Sequence, residues 1–166
     1  ADGRYSLEIM DSIDHIEEEW LSVSEAHDIF FSPEFLRCIE KCPATGISPY
    51  YCLVKEGRST VGIIYFQSKY VKLKENLRKP GAESDSGIDK WLKPLRHAVV
   101  SSINFQTIVC GNLLLTGNYG FCFKNDISRD EQFYVVIKAT DKLSKYLKTN
   151  GTDVGLVLIK DFFTQD

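Results

Sequence analysis

Apolar and polar positions change period along this chain, and each change marks an expected element. Leu7 to Met10 reads as a short first strand. Asp14 with Glu17 has the spacing of a capping box and opens a helix through Trp20 and Val23. Ser32-Pro33-Glu34 is a second helix start, an N-cap serine with proline at the first helical position, and Phe35, Leu36 and Ile39 continue it to about Cys42-Pro43. Tyr50 to Lys55 and Val61 to Gln67 are strand runs joined by Glu56-Gly57-Arg58, which predicts an antiparallel hairpin. From about 69 to 90 the apolar residues thin out among breakers, as in a mobile insertion. Trp91, Leu92, Leu95, Val99 and Ile103 then form a helix-spaced stripe among Lys90, Lys93, Arg96 and His97. Such a basic amphipathic helix packs on a sheet, lies on a membrane surface or grips an anion.

The second half is better marked. Phe105 to Leu115 is an apolar strand broken by Gly111-Asn112, and Thr116-Gly117-Asn118 closes it. A glycine inside a strand signals a kink, a bulge or a close backbone approach, and a bulge turns amides sideways to hold a carbonyl or phosphate oxygen. Gly120 to Phe123 is a short extended piece. Ser128-Arg129-Asp130-Glu131 is a capping box, after which Phe133, Val136, Ile137, Thr140, Leu143 and Leu147 hold one helix face to Asn150-Gly151. Val154 to Ile159 follows as a buried-strand run. Strand, helix, strand makes a right-handed parallel crossover, with the helix N-terminus expected to face the carboxyl end of the Gly111 strand and favour an anion there. The fold class is therefore α/β (α+β) with a central mixed β-sheet flanked by helices. Phe105 to Leu115 is expected parallel to Val154 to Ile159 and antiparallel to Val61 to Gln67. A strand as apolar as Val154 to Ile159 is not expected bare at a sheet edge.

Composition narrows the setting. At 166 residues the chain has the size of one domain, 1–166, and no apolar run approaches the roughly 20 residues of a membrane helix. Nothing at the start reads as a signal peptide, so a cytoplasmic location is expected. The formal charge of −3 argues against DNA as a partner, because phosphate backbones demand a basic face. Five cysteines, an odd number without a Cys-x-x-Cys pair, suit buried thiols in a reducing compartment. Cys38 and Cys42 stand four apart with no histidine pair to complete a zinc site, and no metal is expected.

The order of elements resembles the general N-acetyltransferase (GNAT) fold. More narrowly, Phe30-Phe31-Ser32-Pro33-Glu34-Phe35-Leu36, Val61-Gly62-Ile63-Ile64-Tyr65-Phe66-Gln67 and Val109-Cys110-Gly111-Asn112-Leu113-Leu114-Leu115 through Phe121 resemble the first half of bacterial GNAT-like proteins related to Fem-type peptidoglycan aminoacyltransferases. The resemblance covers nearly the whole chain. It implies an acyl-CoA or aminoacyl donor, an amine acceptor, and either a second GNAT-like half or a homodimer. It also implies that Gly111, Asn112 and Leu113 match the bulge that holds the acyl carbonyl, and that Asn125, Ser128 and Arg129 match the pyrophosphate turn. The chain departs from the pattern twice. Lys124-Asn125-Asp126-Ile127-Ser128 replaces the superfamily's glycine-rich pyrophosphate signature, and the C-terminal part of the fold is missing after Ile159.

Amine acylation needs a base for the attacking nitrogen and donors for the oxyanion. Donors are expected at the bulge, but no catalytic base stands out. Glu17 to Glu19 reads as a solvated helix face, His15, His27 and His97 lack partners at recognisable spacing, and Cys110 and Cys122 read first as buried thiols. Two functions follow: a GNAT-fold acyltransferase-like domain, one half of an N-acyl- or aminoacyltransferase, or a non-catalytic GNAT-like binding or scaffold module.

Overall fold

The computed structural model describes residues 3–24, 29–42, 46–72, 104–124 and 126–160. The stripe from Trp91 to Ile103, most of the expected insertion at 69–90, and Asn125, His27 and His97 lie outside the described residues. In chain order the elements are β1 (Tyr5–Met10), α1 (Glu17–Ser24), α2 (Pro33–Lys41), β2 (Ile47–Glu56), β3 (Ser59–Lys72), β4 (Asn104–Cys110), β5 (Phe121–Phe123), α3 (Arg129–Thr149) and β6 (Val154–Ile159). Short 3-10 turns at Ile13–His15 and Ile29–Phe31 lead into α1 and α2.

The six strands make one mixed sheet, β1-β2-β3-β4-β6, with β5 also beside β3. Neighbours are antiparallel except β4 and β6, which run parallel, as the crossover through α3 predicts. Side chains alternate across a strand, so the sheet feeds two cores. On one face Ile64, Phe66, Ile108 and Cys110 meet Val136, Ala139, Leu143 and Leu147 of α3. On the other, Tyr51, Leu53, Ile63 and Tyr65 meet Trp20, Val23, Phe31 and Leu36 from the α1–α2 side. Trp20 anchors that layer: its ring stands edge-on to Tyr51 at 5.4 Å and its Nε1–H donates to the Phe31 carbonyl at 2.8 Å.

Several expectations change. The α1 start is not the Asp14/Glu17 box. Ser12 caps the preceding 3-10 turn, and Asp14 and Glu17 both take Arg37 of α2 instead, at 2.6 and 2.8 Å, which clips the two helices together. Lys69–Lys72 is not loop but the end of β3, held by β4. Accordingly β4 pairs with Phe66–Lys72, and the short β5 takes Gly62–Ile64. The strand expected through Leu115 stops at Cys110. Ile137 is 59 % exposed rather than on the core face of α3, because that face turns through Val136, Thr140, Leu143 and Leu147. Finally, Val154–Ile159 is not buried: Leu156, Val157 and Leu158 are each 40 % exposed or more, and β6 is the last strand of the sheet among the described residues.

The Ser128 cap is as expected, its Oγ accepting from the Glu131 amide at 3.4 Å, and α3 ends where Gly151, at φ 81°, takes the left-handed conformation after Asn150. No helix among the described residues is long and apolar enough to cross a membrane.

Candidate functional site

β4 and β5 are two pieces of one strand line along β3, parted by an excursion at 112–119. Tyr65 sits at the gap. Its carbonyl accepts from the Gly111 amide at 3.0 Å and its amide donates to the Gly120 carbonyl at 2.7 Å, so the chain leaves and rejoins the sheet opposite one residue. Gly111 makes the exit with φ 119°, a conformation that penalises any Cβ, and a Cβ there would also meet Lys160 Cβ at 3.3 Å.

The excursion is held from three sides. Gln67, wholly buried, accepts from the Leu113 amide at 2.7 Å through Oε1 and donates from Nε2 to Tyr65 Oη at 2.9 Å. Asn112, 2 % exposed, accepts from the Leu114 amide at 2.9 Å through Oδ1. Lys160, the residue after β6, donates from Nζ to the Asn112 carbonyl at 2.9 Å and the Leu115 carbonyl at 2.8 Å. A polar row therefore runs under the loop, Tyr51, Tyr65, Gln67 and Asn112, with the first two rings 5.6 Å apart. Tyr51 Oη and Asn112 Nδ2 are buried there without a hydrogen-bond partner. Burial, with the Glu40 carboxylate nearby for Tyr51, pushes both phenols far above the usual 10. The rest of the loop is mixed, Leu113 to Leu115 being followed by Thr116, Gly117 and Asn118. Tyr119 stacks its edge against Phe30 at 5.2 Å, and Leu114 at the tip is 56 % exposed.

The residues expected to form one site fall in two places. Gly111, Asn112 and Leu113 are at the excursion, but the amides of Gly111, Leu113 and Leu114 already have partners inside the protein. Ser128 and Arg129 are at the N-terminus of α3, beyond the end of β5, where the Lys124 amide meets Val61. Val61 lies four residues along β3 from Tyr65, about 13 Å at the usual strand rise. The helix N-terminus thus faces the β2–β3 hairpin end, not the exit at Gly111. There Arg4 bridges Glu56 at 2.7 Å and Glu131 at 2.9 Å.

Chemistry at these positions is muted. Burial raises the thiols of Cys52 to about 12 and of Cys122 to about 11, and raises that of Cys110 further, which keeps all three protonated and poor as nucleophiles. Cys38 and Cys42 are exposed on the last turn of α2 and its cap. No group of three His, Cys, Asp or Glu residues among those described is placed to hold a metal ion. Sequence reasoning passed over Tyr65, Gln67 and Lys160, the residues that fasten the excursion. The available signal was Gln67, a lone amide closing an apolar run, because a buried polar side chain must find partners. Comparison with protein-family models, with curated proteins and with solved structures finds no match for this chain.

Proposed function

We propose that this chain is a non-catalytic GNAT-like binding or scaffold module, not an acyltransferase domain acting alone. The observation that carries the reading is that the Gly111, Leu113 and Leu114 amides of the excursion already have partners within the protein. An acyl carbonyl would need free amides beside the gap between the parallel strands β4 and β6. The Gly111, Leu113 and Leu114 amides are bound to Tyr65, Gln67 and Asn112, and Lys160 ties β6 to the Asn112 and Leu115 carbonyls across that gap. Each such bond contributes about 0.5–1.5 kcal/mol, so opening several of them to admit a carbonyl offsets much of a weak ligand's binding energy. Of the carboxylates near α3's first turn, Glu131 is paired with Arg4, while Asp130 and Asp126 add negative charge beside Arg129 where a pyrophosphate would come.

A second reading is favoured by the strand order. A mixed sheet whose parallel pair is bridged by a helix, and whose fourth strand breaks at Gly111, agrees with what the resemblance to Fem-type proteins implies. In that reading the chain is one half of an N-acyl- or aminoacyltransferase acting on an amine, with the donor bound at Gly111, Asn112 and Leu113.

Calorimetry with acetyl-coenzyme A separates the two. The scaffold reading expects no constant tighter than roughly millimolar, a binding free energy of about −4 kcal/mol. A micromolar constant that disappears in Gly111→Val would overturn it in favour of the enzyme.

A further inference from the structure

Lys142 of α3 is a cation without a counter-charge. Lys55 meets Glu8 at 3.0 Å, Lys145 meets Asp141 at 2.7 Å and Lys148 meets Asp153 at 3.9 Å, whereas among the described residues no carboxylate pairs with Lys142. Its Nζ donates instead to the Leu7 carbonyl of β1 at 2.5 Å. A backbone carbonyl holds an ammonium in place without neutralising it, and it takes only one of the three N–H donors.

That bond sets Lys142 at one end of a groove of about 480 Å³, bounded by Leu7–Met10 of β1 and by Lys142, Lys145, Tyr146 and Thr149 of α3. Alternation along the strand makes the floor apolar. Leu7 and Ile9 pack toward the α3 core, while Glu8 turns to the other face and meets Lys55, beside Glu19 of α1. The strand therefore gives the groove apolar side chains and no acid. On the helix, Tyr146 comes one turn after Lys142 and lies on the same flank. Its ring is 40 % exposed and stands edge-on to Tyr50 at 6.2 Å.

Size and charge together select the occupant. Leu7 to Met10 spans about 10 Å of strand, and Lys142 to Thr149 about 10 Å of helix. The volume is that of a small-molecule site, within the range of about 300–1,000 Å³. Strand addition to β1 is opposed, because Lys142 already covers the Leu7 carbonyl. An apolar trough of this length with an uncompensated ammonium at one end suits a linear molecule with an apolar tail and an anionic head.

We propose that the groove between β1 and α3 binds a medium-chain carboxylate, a fatty acid in chemical class, with its head on Lys142 and its chain along Leu7, Ile9 and Tyr146. Lys145 adds a second cation at the rim, since its exposed i,i+4 pair with Asp141 yields readily. β2 and β3 stand between this groove and the excursion at Gly111. The inference does not rest on the proposed scaffold function, since an enzyme half would carry the same groove.

Isothermal titration calorimetry with hexanoate, octanoate and decanoate, each below its micelle concentration, tests it. Saturable one-to-one binding is expected, tightening by up to about fourfold for each added methylene while the chain still lies in the groove. Octanamide, which has the same tail and no charge, is expected to bind roughly tenfold more weakly than octanoate. Lys142→Gln, which keeps a donor for Leu7 but no charge, should abolish the preference for the acid. Thr149→Trp, at an exposed position, fills the far end of the groove and should weaken decanoate more than hexanoate, with an unchanged circular dichroism spectrum. Should Lys142→Gln not fold, Thr149→Trp and the acid–amide comparison carry the test. No saturable binding, an acid that binds no better than its amide, or affinities that the substitutions leave unmoved overturn the proposal.

Discussion

Replacing Gln67 by leucine probes the polar row most directly, because the two residues are close in size and the change removes only the amide. Gln67 is fully buried and makes two well-formed bonds, from the Leu113 amide at 2.7 Å and to Tyr65 Oη at 2.9 Å, with a longer approach to Asn112 Oδ1 at 3.4 Å. Each ordinary bond contributes about 1 kcal/mol net, and a buried group left without its partner costs about 1–3 kcal/mol. The Leu113 amide lies at the rim and can turn to water; the Tyr65 hydroxyl, on a residue 1 % exposed, cannot. The sum predicts a loss of about 2–4 kcal/mol, read as a lower urea midpoint at unchanged slope. At about 2–4 °C per kcal/mol for a domain of this size, the melting temperature falls by roughly 4–16 °C. A double-mutant cycle with Tyr65→Phe isolates the cause. In the phenylalanine background the hydroxyl is gone, so Gln67→Leu becomes milder, with a coupling of about 1–2 kcal/mol. Hydrogen exchange should speed up at 112–115 in both backgrounds, because the Leu113 bond is lost either way. A loss below about 0.5 kcal/mol, the range of neutral surface changes, or strict additivity in the cycle, refutes the row as the fastening of the loop.

The buried thiols give a pH dependence of defined sign. Cys52 and Cys122 titrate near 9 when unfolded and at about 12 and about 11 when folded. Their protonated, buried state therefore supports the fold fully below pH 9, and that support is lost as pH rises from 9 toward 11–12, at up to about 1.4 kcal/mol per pH unit for each thiol. Urea midpoints measured from pH 8 to 11 should fall, and Cys122→Ala should make the fall shallower. Thiol labelling of the native chain at pH 8 should modify Cys38 and Cys42 rapidly and the other three only on unfolding. Gly111→Ala, forced to φ 119° with its Cβ 3.3 Å from Lys160, should cost about 1–3 kcal/mol, whereas Gly57→Ala in the hairpin turn, with open space around its Cβ, should cost less; equal losses in chemical denaturation would remove Gly111 from its special place.

Local chemistry made much of the architecture legible. Ser32 and Ser128 announced their helices because a hydroxyl that caps an amide acts within one turn, needing nothing distant. The β2–β3 hairpin followed from a tight turn between apolar runs, and the parallel β4–β6 pair from the length of the helix between them, since a crossover of that kind leaves few alternatives. Gly111 was visible as a break. What the break does was not, because its amides are answered by Tyr65 and Gln67 and its carbonyls by Lys160, residues 46, 44 and 49 positions away in sequence that meet it only when β3 and β6 flank β4. The same limit explains the other differences. Asp14 and Glu17 suit a cap by spacing, but a guanidinium from α2 offers them a stronger partner. Val154–Ile159 has the composition of an interior strand, and composition reports what a strand can bury, not what stands beside it. Its position at the edge of the sheet that the described residues form is a property of the assembled tertiary structure and of no single segment.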